Sequence, residues 1–213
     1  MDLRLLQQNF FKKYFFKINI LGSKFSGNKF YAISPYVQEQ SIEYFNRNVS
    51  YIPTFLEPKR ESCSNKYNLD NFALIISSDL PHKNLRLLYE IENYLPLDLV
   101  IIGPVTNSNF NYNSKKISHL GFVSLKEKHE LIFKAKFIIF PTTFEGFGYP
   151  VLEAALFGKR ILCNKLKVFE TLFEDFPVYV NSNDRASWIK AIEREYNIGK
   201  MNINLDVENL EID

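Results

Sequence analysis

Short apolar runs alternate with amphipathic segments from about residue 71 onward. The run at 97–102 has the length and composition of a buried parallel strand. The segment before it repeats apolar side chains every three or four positions, at Leu88, Ile91 and Leu95, which is typical of a helix with one buried face. This alternation predicts an α/β fold in which helices flank a parallel sheet of about six strands.

The first 70 residues do not continue this alternation. They contain a Phe-rich helix candidate at 3–17, which lysines interrupt, and a strand candidate at 29–34. The predicted organisation is a partial amino-terminal appendage at 1–57, a polar linker at 58–70, a main domain at 71–196 and a tail at 197–213. The helix candidate suits packing against a neighbouring domain. The alternative is peripheral contact with an anionic membrane, with aromatic rings in the interface and lysines at the head groups.

The composition excludes several classes of protein. Hydrophobic residues make 46% of the chain and charged residues 23%, as in ordinary globular proteins. The net charge is only +2 and basic and acidic residues are interleaved, so no nucleic-acid partner is expected. Cys63 and Cys163 lack the neighbours of a zinc site or a disulfide framework. Because no apolar stretch reaches about 18 residues, we expect a cytoplasmic protein, with the inner face of the cell membrane as the alternative location.

The most informative chemistry lies at two glutamates, Glu145 and Glu153, in the stretch FEGFGYPVLE at 144–153. Pro150 suits the first position of a helix, and Gly158 suits the residue just past its end. We therefore expect Glu145 on a loop that follows a strand, and Glu153 in or near the first turn of the helix.

This arrangement suits a ligand that carries both phosphate and hydroxyl groups. The free amides of a helix start attract phosphate oxygens, and Gly146 and Gly148 let the backbone approach a ligand closely. A carboxylate suits vicinal hydroxyls, so one glutamate could hold a ribose diol and the other a sugar ring beyond a diphosphate. Either glutamate alone is explained by solvation or by the helix dipole. Their spacing around the glycines and the proline favours a nucleotide-sugar site.

Segments of this chain resemble the retaining glycosyltransferases of the two-domain GT-B fold, in the large group with an E-x7-E motif. The stretch PTTFEGFGYPVLEA at 141–154 is similar to the central signature of that group. Residues 121–124 resemble its G-x-V-s turn, and residues 81–85 resemble its P-x-K-N loop. The resemblance covers about 32–192. It implies the Rossmann-like carboxyl-terminal half of a GT-B fold, preceded by a remnant of the amino-terminal domain.

The resemblance also implies a role for each site residue. Glu145 would be the catalytic residue that contacts the transferred sugar, and Glu153 would hold the ribose hydroxyls. Lys83 would neutralise the donor diphosphate, and His82 stands where relatives often carry arginine. Backbone near Val123 would read the base. The remaining donor-binding candidates lie between the glutamates and are Gly146, Phe147, Gly148, Val151 and Leu152.

The implied activity is hexosyl transfer, with retention, from a nucleotide-diphosphate sugar to a cell-surface polysaccharide or glycolipid. No Asp-x-Asp motif lies near the site, and a lysine with a helix start can stabilise the leaving diphosphate, so neither a metal nor another cofactor is expected. Most of the acceptor domain of the family has no counterpart, so a separate acceptor-domain subunit is an expected partner. The alternatives are a truncated protein that binds nucleotide sugar without transferring it, and a non-catalytic module that docks on a protein or a membrane.

Overall fold

The computed structural model describes residues 31–45, 49–52, 67, 69–104, 114–180 and 184–198. These residues fall into two compact units. The first holds 31–45 and 49–52 together with Phe144–Gly148 and Leu166–Leu172, and the second holds the rest. The predicted helix at 3–17 lies outside the described residues, as does most of the predicted linker and of the tail. The predicted domain boundaries stay predictions.

In the first unit, a helix connects two short parallel strands. Strand β1 (Tyr31–Ala32) pairs with β2 (Ser50–Tyr51), and helix α1 (Pro35–Phe45) joins them. The hydroxyl of Ser34 accepts a hydrogen bond from the Val37 amide at 3.1 Å, which satisfies one of the free amides at the helix start. The strand predicted at 29–34 ends at Ala32, and a bend at residues 33–34 leads into the helix.

The part of the second unit that the structure describes contains one sheet of six parallel strands, in the order β5-β4-β3-β6-β7-β8. The predicted parallel α/β sheet is confirmed. Most strand residues are fully buried, as expected for a sheet covered on both faces. The strands are β3 (Phe72–Ile76), β4 (Asp98–Ile102), β5 (Ile117–Gly121), β6 (Ile138–Phe140), β7 (Ile161–Asn164) and β8 (Val178–Val180).

Helices follow the strands along the chain, as predicted. Asp184 caps the last helix, because its carboxylate accepts a hydrogen bond from the Ser187 amide at 3.0 Å. Gly158 follows the helix that carries Glu153, with a left-handed φ of +61° that favours glycine. The helices are α2 (Leu85–Ile91), α3 (Leu125–Lys134), α4 (Tyr149–Leu156), α5 (Lys167–Phe173) and α6 (Arg185–Ile198), with 3₁₀ turns at Pro81–Lys83 and Glu92–Tyr94.

The core of the second unit lies between the sheet, α2 and α6. Leu88 and Ile91 of α2 are fully buried, and so are Trp188 and Ile192 of α6. Burial of an aliphatic side chain of this size stabilises the fold by about 1.5–3 kcal/mol. The helical periodicity at Leu88, Ile91 and Leu95 therefore identified one buried face correctly. No helix within the described ranges is both long and apolar enough to cross a membrane.

The strand order reverses direction between β3 and β6. The chain proceeds from β3 to β4 and β5 on one side, and it returns to place β6 on the other side of β3. Leu74 of β3 pairs with Ile138 of β6, and the Leu74 amide donates to the Phe137 carbonyl at 3.1 Å. Loops that leave the carboxyl ends of two such strands diverge and open a crevice, which is where open α/β sheets bind their ligands.

A histidine in the edge strand β5 makes the fold sensitive to acid. The hydroxyl of Tyr89 forms a hydrogen bond with Nε2 of His119, and the two rings stack with centroids 6.1 Å apart. Burial lowers the pKa of His119, and the charge of Asp79 opposes this shift in part. The unfolded chain therefore takes up the proton at a higher pH than the folded one, so stability falls as the pH drops below about 6.5.

We expect the urea midpoint of the full chain to fall between pH 7 and pH 5 by more than that of a His119→Gln variant. Glutamine keeps a hydrogen-bond acceptor for Tyr89 but does not titrate. Urea unfolding of both proteins at several pH values measures the difference. Parallel pH profiles for the two proteins would contradict this account of His119.

Candidate functional site

The backbone carbonyl of His82 ties together the loops that leave β3 and β6. Its oxygen accepts a hydrogen bond from the Thr143 amide at 2.7 Å. It also accepts from the hydroxyls of Thr142 and Thr143, at 3.1 and 3.2 Å. The turn at Pro81–Lys83 is therefore fixed against the start of the loop between β6 and α4. The structure thus brings two predicted motifs to the same edge of the sheet.

Lys83 stands at the carboxyl end of β6. Its Nζ lies 5.2 Å from the centroid of the Phe140 ring, the last residue of that strand, which is a favourable cation–π distance. Asn84 follows with a left-handed φ of +55° and leads directly into α2. Lys83 and His82 are both partly buried. Contact of either side chain with a donor stays a prediction.

Asn164 supports the same loop and was not among the predicted site residues. This buried side chain at the end of β7 donates from Nδ2 to the carbonyls of Pro141 and Thr142, at 2.8 and 2.9 Å. The first residues of the loop after β6 are thereby held from the neighbouring strand. A polar residue at the end of an otherwise apolar strand run is the sequence signal that could have identified Asn164.

Glu153 is buried beside the start of helix α4. The helix begins at Tyr149, so Glu153 lies next to its first turn, as predicted. The residue is only 7% exposed, and its carboxylate forms an ion pair with Lys128 of α3. Lys128 was also missed. Its position could have been found from the Ser-x-x-Glu pattern at 124–127, which predicts a capping box and hence the start of the helix.

Val123 precedes that capping box. The Ser124 hydroxyl accepts from the Glu127 amide at 3.2 Å, and the Glu127 carboxylate accepts from the Ser124 amide at 2.7 Å. These reciprocal bonds fix the backbone where β5 passes into α3. Val123 is partly buried in this turn, and its predicted contact with the base stays a prediction.

The loop that carries Glu145 belongs to the first unit and is anchored there by its backbone. The hydroxyl of Ser34 donates to the Gly146 carbonyl at 2.6 Å. Gly148 has a φ of +102°, and a Cβ at this position would lie 2.4 Å from the ring of Phe169. Glu145 is partly buried. The glycine at 148 is therefore required by conformation and by packing, independently of any ligand.

The remaining predicted donor contacts are restricted to the backbone. The side chains of Phe147, Val151 and Leu152 are all buried, with Val151 fully inaccessible. In the first turn of α4, amide groups have no acceptor within the helix, as the predicted contact with phosphate requires. No group of three or more His, Cys, Asp or Glu side chains that could hold a metal ion occurs within the residues that the structure describes.

Replacing Asn164 by alanine is expected to destabilise the full chain by about 1–3 kcal/mol, because the buried carbonyls of Pro141 and Thr142 lose their donor. Urea unfolding measures this loss. Asn197→Ala, at an exposed position of α6, is the matched control and should stay close to the wild type. An Asn164→Ala midpoint equal to that of the control would show that this side chain does not hold the loop.

Comparison with known proteins identifies a family that matches this chain. A family model described as glycosyl transferases group 1 matches residues 59–206. The O-antigen chain mannosyltransferase RfbU of Salmonella typhimurium is 26% identical over 138 residues, which are 60% of this chain and 39% of RfbU. The O-antigen chain mannosyltransferase B of Escherichia coli is 26% identical over 135 residues, 56% of this chain and 35% of that protein. The matches thus span well under half of these two relatives.

Solved structures resemble this chain in fold. HepE of Anabaena, crystallised with UDP-glucose, superposes with a TM-score of 0.68 at 16% identity. The match covers 85% of this chain and 58% of the HepE chain. WaaG, a glycosyltransferase involved in lipopolysaccharide biosynthesis, has a TM-score of 0.64 at 14% identity, over 80% of this chain and 55% of its own. Identities this low support the fold alone, and they agree with the α/β architecture described above.

Proposed function

The chain belongs to the group 1 glycosyl transferases, and on that premise we propose that its second unit binds the nucleotide-diphosphate sugar from which a hexosyl group is transferred. The observation that carries the proposal is the junction at the His82 carbonyl. It holds the loop of Lys83 against the loop that leads to α4, at the point where the strand order reverses. A diphosphate between a lysine and a helix start is well stabilised.

Each part of the donor has a proposed partner in this unit. Lys83 neutralises the diphosphate, together with the first-turn amides of α4 and with His82 beside it. Glu153 accepts hydrogen bonds from the ribose hydroxyls, since a carboxylate suits a vicinal diol. The turn at Val123 contacts the base through its backbone. The burial of Glu153 supports this role, because a carboxylate held away from bulk water interacts more strongly with a bound hydroxyl.

The proposed reaction retains the anomeric configuration of the sugar. The bond from C1 of the sugar to the diphosphate oxygen breaks, and the acceptor oxygen bonds to C1 on the same face. The acceptor proton passes to the departing phosphate oxygen, so the leaving group serves as the base. Lys83 stabilises the negative charge that develops there, and no metal takes part in this scheme. The role of Glu145, as the residue that contacts the transferred sugar, comes from the family resemblance.

The relatives favour a mannosyl donor and an acceptor at the cell surface. RfbU and the Escherichia coli relative are O-antigen chain mannosyltransferases by name, and HepE was crystallised with UDP-glucose. We therefore propose mannose or glucose as the transferred sugar and a surface polysaccharide or glycolipid as the product. In the family, the acceptor is bound by an amino-terminal domain. A separate subunit with that domain, and peripheral contact with the membrane, are parts of the same proposal.

Isothermal titration calorimetry of the full chain with UDP, GDP and ADP tests donor binding. We expect at least one of them to bind, and Lys83→Ala and Glu153→Ala to weaken that binding at least tenfold, because each removes a direct contact. Lys190→Ala, an exposed lysine of α6, is the control for the loss of one positive charge and should bind like the wild type. No binding by any nucleotide, or equal binding by all variants, would contradict the proposal.

Transfer is measured separately from binding. The full chain is incubated with GDP-mannose or UDP-glucose, and release of the nucleoside diphosphate is followed with and without an added acceptor-domain protein. Release that depends on the added protein supports the two-subunit form of the proposal. Nucleotide binding with no release under any of these conditions would favour the alternative, a protein that binds nucleotide sugar without transferring it.

A further inference from the structure

We propose that Lys128 is a positioning residue of the donor site. Its ammonium group holds one oxygen of the Glu153 carboxylate, so that the other oxygen faces the ribose diol of the donor. This inference rests on the donor-binding function proposed above. It adds a residue that neither the sequence motifs nor the family resemblance had identified.

The pairing of the two side chains is the first observation. Nζ of Lys128, on α3, donates a hydrogen bond to Oε1 of Glu153, on α4. Across the described ranges, Lys128 is the one ion-pair partner of Glu153. A carboxylate has two oxygens with about four acceptor sites, and an ammonium on one oxygen leaves the second to accept other donors. The bridge therefore orients Glu153 without using all of its acceptor capacity.

The burial of the pair is the second observation. The Glu153 side chain is 9% exposed and the Lys128 side chain is 23% exposed, so the bridge lies at the boundary between core and solvent. In such surroundings, the charges are screened less than on an open surface, and the geometry of the pair is better defined. A ligand that approaches from solvent meets a carboxylate whose orientation is already set.

The backbone that carries Lys128 is also fixed. The Lys128 amide donates to the Ser124 carbonyl at 2.9 Å, in the turn that the Ser124–Glu127 capping box closes. The hydroxyl of Tyr67 donates to Glu127 at 3.4 Å. On the opposite helix, the Glu153 carbonyl accepts from the Phe157 amide at 3.1 Å. Hydrogen bonds thus hold the backbone under both side chains, and the ion pair restricts the side chains themselves, so less conformational freedom is lost on binding.

A purely structural salt bridge is the competing explanation. It would fasten α3 to α4, and its removal would weaken the binding of every nucleotide to the same extent. A bridge that positions Glu153 acts on the contact with the ribose hydroxyls, so its removal would weaken the binding of nucleotides that carry those hydroxyls and not of nucleotides that lack them. The two explanations therefore differ in the ratio of the affinity for a ribonucleotide to the affinity for its dideoxy counterpart.

The test compares UDP and GDP with their 2′,3′-dideoxy counterparts by calorimetry on the full chain. We expect the wild type to prefer the ribonucleotide about tenfold or more, and Lys128→Met to reduce that preference to about twofold or less. Lys128→Arg should retain most of the preference, because it restores a cation. Lys126→Met removes an exposed lysine from the same helix, and it should leave the preference unchanged.

Thermal unfolding of each variant identifies any that is not folded, and Lys128→Leu is measured in the same way as a second neutral replacement. If these neutral variants bind the ribonucleotide and the dideoxynucleotide more weakly by the same factor, the positioning role is overturned and donor binding is left intact. A wild type that binds neither UDP nor GDP would overturn the positioning role together with donor binding. A wild type that binds these nucleotides without any preference for the ribose hydroxyls would overturn the contact of Glu153 with the ribose, and with it the positioning role of Lys128.

Discussion

The parallel pairing of β3 with β6 is the constraint on which the candidate donor site depends. The chain leaves β3 in one direction across the sheet and returns to β6 on the opposite side, so the loops after these neighbouring strands diverge. This pairing brings the Pro81–Lys83 turn beside the residues that follow Phe140. Without it, the His82 carbonyl could not accept hydrogen bonds from Thr142 and Thr143.

Buried polar groups then select one arrangement of these loops. The His82 carbonyl, Nδ2 of Asn164 and one oxygen of the Glu153 carboxylate are each held by a partner distant in sequence. A buried polar group that loses its partner costs more than the hydrogen bond contributes, so alternative loop conformations are penalised. The apolar sheet supplies the stability, and the polar contacts supply the geometry that a ligand needs before it binds.

Most of the fold could be predicted from sequence, because apolar runs and helical periodicity depend on neighbouring residues. The parallel sheet of about six strands was predicted, and the strand expected at 97–102 begins one residue later, at Asp98. Lys128 and Asn164 were missed because each acts on a residue more than 20 positions away. The position of Glu153 near the helix start was predicted from Pro150, and α4 begins one residue earlier, at Tyr149.

A crystal structure of the full chain with bound UDP or GDP would show whether Lys83 and Glu153 hold the donor nucleotide. We expect a diphosphate oxygen within hydrogen-bond distance of Lys83 Nζ, at the carboxyl edge of the sheet. We also expect the ribose hydroxyls to donate to Glu153 while Lys128 still holds the other carboxylate oxygen. A nucleotide bound elsewhere on the chain, with Lys83 and Glu153 both out of contact, would rule out this donor site.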